Sequence, residues 1–155
     1  MSFSLEIQLT DPRWRKVRGL SARVTDAVTR ALKAGKAPRN ASLTILLTGD
    51  RQMKALNHDF RGTSKATNVL SFPAAPAAAD DYLGDVVLAY GVMGKEARAG
   101  DKRLVDHTAH LVIHGVLHLL GFDHVTQRKA NLMEALETKI LAQLGIADPY
   151  AEEGA

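Results

Sequence analysis

The stretch HGVLHLLGFDH, residues 114–124, constrains this chain more than any other, because it sets polar rings inside an apolar run. The surrounding LVIHGVLHLL is apolar enough for a buried helix, yet His114 and His118 stand about one turn apart within it. Residues four apart on a helix differ by about 40° and about 6 Å, so both imidazoles share a face and can reach one cation at about 2.0–2.1 Å. A straight helix cannot aim three successive turns at one atom, since its outer side chains lie about 12 Å apart. His107 and His110, on nearly the same face, therefore read as supporting or surface groups rather than ligands. The third ligand has to come from beyond the helix. Gly121 permits a sharp turn there, and GFDH returns His124 to the depth of the metal. Three imidazoles with an open fourth position make the arrangement of a catalytic zinc site.

With no cysteine in 155 residues, disulfides, thiolate metal sites and thiol nucleophiles are excluded together, and a metal must be held by His or carboxylate. The length and a hydrophobic content of 46% fit one domain spanning 1–155, with residues from about 146 onward read as an acidic, frayed tail. The N-terminus has neither the basic start nor the apolar stretch of a signal peptide, and no run is long enough to span a bilayer. The expectation is a soluble cytoplasmic protein with no membrane partner.

Hydrophobic periodicity supplies the rest of the frame. FSLEIQL (3–9) alternates like a strand, and SLTILLTG (42–49) and YLGDVVLAYG (82–91) read as buried strands, with a short one at Val69 to Phe72. Pro12 opens an amphipathic helix marked by Trp14, Val17, Leu20, Val24, Val28 and Leu32 and closed at Gly35. Asp50 caps a short helix carrying His58, read as solvated. A helical stretch follows at about 92–99, then the histidine helix from Asp101, then a last helix over 126–145. Elements in this order predict an α+β fold, helices packed on a mixed four-stranded sheet, with the metal site at the end of a central helix.

Charge is unevenly spread. Residues 12–39 carry nine basic side chains against the single acid Asp26, in a chain whose net charge is only +3. Such a cluster is either a solvated helix face or a sequence-independent phosphate contact.

In the zinc-protease pattern HExxH, the residue after the first His is a glutamate that serves as general base. Here it is Gly115, so proton transfer rests with water at the metal, with a substrate phosphate or with another segment. Two rival functions fit the same residues: a metallopeptidase-like zinc hydrolase, and an RNA-binding ribosome-assembly module whose metal is structural.

Four blocks in order, LNHDFRGTSKATNVLSFP (56–73), GDVVLA (84–89), HGVLHLLGFDH (114–124) and MEALETKIL (133–141), resemble the YbeY-type endoribonucleases, bacterial rRNA maturation factors. The resemblance spans about residues 42–145. It implies a metal on His114, His118 and His124, hydrolysis of single-stranded RNA, roles in 16S rRNA 3′-end maturation and ribosome quality control, and a ribosomal partner. It places the family's prominent arginine at Arg61. Asn68 stands where many members have Asp, and Phe122 where Tyr is commoner, so neither an acidic role at 68 nor a phenol at 122 is carried over.

Zinc is the expected cation, with nickel or another divalent metal also compatible with imidazole ligands. A guanidinium matches phosphate with paired donors and keeps its charge, which makes Arg61 the candidate catalytic residue. Asp123 either orients a ligand imidazole or shapes the turn before His124. Asp85, in the fourth strand, is read as structural. Two nucleophiles fit the chemistry, water activated by the metal and the 2′-hydroxyl of RNA.

Overall fold

Alternation in the strands decides which side chains meet. In a computed structural model, which describes residues 2–62, 66–75 and 81–150, the strands are β1 (Phe3–Leu9), β2 (Ala41–Thr48), β3 (Val69–Pro73) and β4 (Tyr82–Ala89). They form one sheet in the order β1-β2-β4-β3. The β1/β2 and β2/β4 pairs are parallel and β3 runs antiparallel to β4, so the sheet is mixed, as expected. Five helices complete the α+β domain: α1 (Leu20–Ala34), α2 (Asp50–Arg61), α3 (Tyr90–Ala99), α4 (Leu104–Leu119) and α5 (Gln127–Gln143).

One face of the two central strands is apolar and covered by helices, while the other is mixed, with Thr44 of β2 and Asp85 of β4 bordering a cavity. Leu43, Ile45 and Leu47 of β2 and Val86 and Leu88 of β4 join the main core with residues of α1, α4 and α5. The intervening Val87 and Ala89 turn the other way, against Met53 of α2 and Leu70 of β3. α4 lies in the middle of the first layer, with Ala109, Val112, Ile113, Val116 and Leu117 fully or almost fully buried. Its length and burial deliver the histidines at its C-terminal end to the sheet edge formed by β3.

Two expected boundaries are corrected. The helix expected to run unbroken from Pro12 to Gly35 is a short 3-10 turn, Pro12–Lys16, followed by α1 from Leu20. Gly19, at φ 70°, takes the left-handed conformation that resets the chain between them. The turn is anchored separately: Trp14 is fully buried, its indole N–H donates to the Thr48 carbonyl at 2.9 Å, and its ring meets Tyr90 edge-on. Asp50 does not cap its own helix, whose N-cap is Gly49; its Oδ1 accepts from the Val92 amide at 3.1 Å, capping α3 instead. Tertiary contact redirects a local signal in both places.

Candidate metal centre

α4 ends at Leu119, and Gly121, at φ 98°, turns the chain back as the sequence requires. The ring centroids of His114 and His118 are 4.7 Å apart, those of His118 and His124 5.2 Å, and those of His114 and His124 6.0 Å. One ring nitrogen from each lies within 4.8 Å of the other two. Small rotations about the soft histidine χ2 torsions bring such a span onto one ion at about 2.0–2.1 Å. His114 and His118 are half-buried and His124 is exposed, so the group has a sealed side and an open one. The three rings border a cavity of ≈ 410 Å³ whose other walls are Thr67, Asn68, Val69, Ser71 and Pro73. Burial lowers the His118 pKa, and the neighbouring His114 and His124 add to the effect, which favours the neutral form that binds a cation.

The donor set fits a cation for a further reason. His114 Nδ1 lies 3.0 Å from Glu137 Oε2. A carboxylate accepts, so Nδ1 carries the proton and Nε2 keeps its lone pair for a metal. Glu137, on α5, is completely buried. Burial alone pushes its carboxyl up, but hydrogen bonds from His110, His114 and Tyr150 outweigh it and hold the pKa down to about 2. Sequence reading missed Glu137. Its signal was present: a glutamate between Met133 and Ile140 at helical spacing, on the stripe the helix buries.

The remaining expected residues fall as follows. His110 Nε2 donates to Glu137 Oε1 at 2.8 Å, on the carboxylate that also meets His114, and His107 Nε2 pairs with Glu96 Oε1 at 2.9 Å; neither belongs to the converging group. Asn68 Nδ2 donates to both oxygens of Glu96, at 3.1 and 3.2 Å, a contact an aspartate could not make. Asp123 Oδ1 accepts from the Val125 amide at 3.1 Å, and Oδ2 lies 3.7 Å from Lys129 Nζ, both contacts that fix the turn carrying His124. Among the described residues, the carboxylate hydrogen-bonded to a cluster histidine is that of Glu137. Asp85 accepts from the Tyr82 hydroxyl and lines a different cavity, with Glu6, Gln8 and Thr44. Phe122 packs against the main core, and His58 is exposed on α2. Arg61 closes α2, but its side chain lies outside the described residues, as does the tail from 151 onward.

Of the nine basic residues in 12–39, Arg13, Arg23 and Arg30 are paired with Asp11, Asp106 and Asp26. Arg15, Lys16, Arg18, Lys33, Lys36 and Arg39 are exposed. Among the described residues, no helix is long and apolar enough to cross a membrane.

The sequence profile described as Endoribonuclease YbeY matches residues 8–145. A protein of Maricaulis maris named Endoribonuclease YbeY is 44% identical over 150 residues, covering 97% of this chain and 93% of that one. A protein of Bordetella avium with the same name is 46% identical over 139 residues, covering 90% and 84%. A solution structure of a Thermotoga maritima protein superposes with a TM-score of 0.55 over 96% of this chain and 99% of that one. At 19% identity that likeness supports the fold alone.

Proposed function

The chain belongs to the endoribonuclease YbeY family, and on that premise we propose that it cuts single-stranded RNA at a zinc site held by His114, His118 and His124, in 16S rRNA 3′-end maturation and ribosome quality control. Membership makes it a hydrolase of RNA phosphodiester bonds. The single observation that carries the metal-dependent reading is the convergence of three imidazoles, from α4 and the turn after it, on one open cavity.

Zinc, when bound, supplies Lewis-acid polarisation of a phosphoryl oxygen and lowers the pKa of water towards about 7. The chain's own groups do the rest. Glu137 holds the proton of His114 at Nδ1 and turns Nε2 toward the cation. Thr67, Asn68 and Ser71 give the cavity a polar wall along β3, where a single strand can lie extended. Arg61 is assigned the phosphate, where a guanidinium meets the charge that builds on the equatorial oxygens. Asp123 holds the turn that returns His124. The exposed cations of the 3-10 turn and α1 offer a phosphate surface to rRNA or the ribosome, in the cytoplasm.

A peptidase of the HExxH type needs a glutamate at the position of Gly115, where a side chain would run into Val86. The test compares single-stranded RNA, double-stranded RNA and an unstructured peptide as substrates, each with zinc and with chelator. Chelator-sensitive scission of single-stranded RNA alone is expected. RNA binding without scission by the zinc-loaded protein would overturn the enzymatic reading and leave a structural metal.

A further inference from the structure

Glu137 needs explaining because an ionised carboxylate in a fully buried position is costly unless its lone pairs are filled. Three donors fill them unevenly. His114 takes Oε2, while His110 Nε2, at 2.8 Å, and the Tyr150 hydroxyl, at 2.7 Å, both converge on Oε1. The Tyr150 ring stands edge-on to His110, with centroids 5.6 Å apart at 88°. Tyr150 is itself held: its amide donates to Asp148 Oδ1 at 2.8 Å, the same oxygen that accepts from the Thr138 hydroxyl of α5 at 3.2 Å. Ile146 packs against the main core. Residues 146–150 are thus tied back onto the helix that carries Glu137.

The terminal torsion of a glutamate is soft, so one hydrogen bond at Oε2 does not fix the plane of the carboxylate. Two donors at Oε1 do. We propose that Tyr150 is a positioning residue of the metal centre: with His110 it pins one oxygen of Glu137, so that the other holds His114 with Nε2 presented to the cation. This inference rests on the reading that His114, His118 and His124 hold a cation. It makes metal retention depend on the C-terminal segment, more than thirty residues from the ligand in sequence. It also gives the half-exposed tyrosine a role that its packing alone does not require.

The experiment uses the full chain as native protein, Glu137→Gln, Tyr150→Phe and the double variant, and reads the zinc dissociation constant by competition with a chromophoric chelator. Metal-free thermal unfolding serves as the folding control. Glu137→Gln keeps the shape and removes the charge, and is expected to weaken zinc binding by about 10- to 100-fold, as loss of such a partner typically does. Tyr150→Phe is expected to weaken it by roughly two- to tenfold, the weight of part of one hydrogen bond. The double variant should bind no more weakly than Glu137→Gln, because Tyr150 acts only through that carboxylate. Native affinity in Tyr150→Phe, or single effects that multiply in the double variant, would overturn the proposal. A native chain that binds no zinc would overturn the metal reading as well, which separates the two failures. If Glu137→Gln does not fold, Tyr150→Phe against native protein still decides the matter.

Discussion

Gly115 of α4 rests directly on Val86 of β4, so closely that a Cβ added at 115 would come within 2.5 Å of Val86 Cγ1. The Ser71 hydroxyl of β3 donates to the Gly115 carbonyl at 3.0 Å, tying the same turn of helix to the sheet edge. This approach sets the depth at which His114 and His118 stand beside β3. Helix propensity alone favours Ala over Gly by about 1 kcal/mol. Here the neighbour is a fully buried valine, and overpacking costs about 1–3 kcal/mol. Gly115→Ala is therefore expected to lower the stability of the metal-free protein in urea unfolding, and Val86→Ala to recover part of the loss in the double variant. A more stable Gly115→Ala would show that propensity outweighs the contact.

Much of this arrangement was legible in the sequence, because it depends on local period and spacing. The His114–His118 pair needs only a helix, and His124 needs only the turn at Gly121. The α+β fold on a mixed four-stranded sheet followed from the order of helical and strand patterns along the chain. Features set by distant contacts were not legible in the same way. The 3-10 turn at Pro12–Lys16 departs from its helical stripe because Trp14 bonds the end of β2. The Asp50 side chain does not cap its own helix because it accepts from the Val92 amide of α3. Glu137 carried a visible anomaly, a charge on a buried stripe, but the histidines that explain it lie 23 and 27 residues away.

The pH dependence of the metal-free fold should carry the mark of His107. Burial lowers its pKa from 6.5, and the hydrogen bond with Glu96 only partly restores it. A depressed histidine is neutral in the fold over a range where it is protonated in the unfolded chain, so the unfolded state binds more protons there. Its contribution is complete above pH 6.5 and is lost as the pH falls from 6.5 through the folded value; His118 adds the same sign. In chelator, the melting temperature should fall on acidification below that point, and less steeply for His107→Gln. Parallel profiles for the two proteins would remove His107 from the effect.

Arg61 and the histidines divide the proposed chemistry into two separable parts, phosphate and metal. Arg61→Glu replaces a donor pair with a repelling carboxylate and is expected to reduce RNA cleavage by about 10²-fold or more, the scale of losing one charge-stabilising donor. Zinc content should stay at the native level, because Arg61 closes α2 and is not among the three converging imidazoles. Metal analysis beside a cleavage assay reads both quantities on one sample. Native turnover in this variant would return Arg61 to an ordinary helix-end arginine.

As proposed ligands His114 and His118 are equivalent, but as parts of the fold they are not, and alanine at each position should separate the two roles. Either substitution removes one of three imidazoles, so zinc binding and RNA scission are expected to be lost in both. Only His114→Ala also takes away the donor at Glu137 Oε2. That oxygen then faces a buried wall with its charge partly unmatched, because His110 and Tyr150 both serve Oε1. Leaving a buried acceptor unsatisfied costs about 1–3 kcal/mol, so metal-free His114→Ala should be less stable than metal-free His118→Ala by that order. Adding Glu137→Leu, which removes the stranded charge while keeping an apolar side chain, should narrow the gap. Equal stability of the two alanine variants in chelator would mean that Glu137 is held by its other partners alone, and that its bond to His114 serves the metal without supporting the fold.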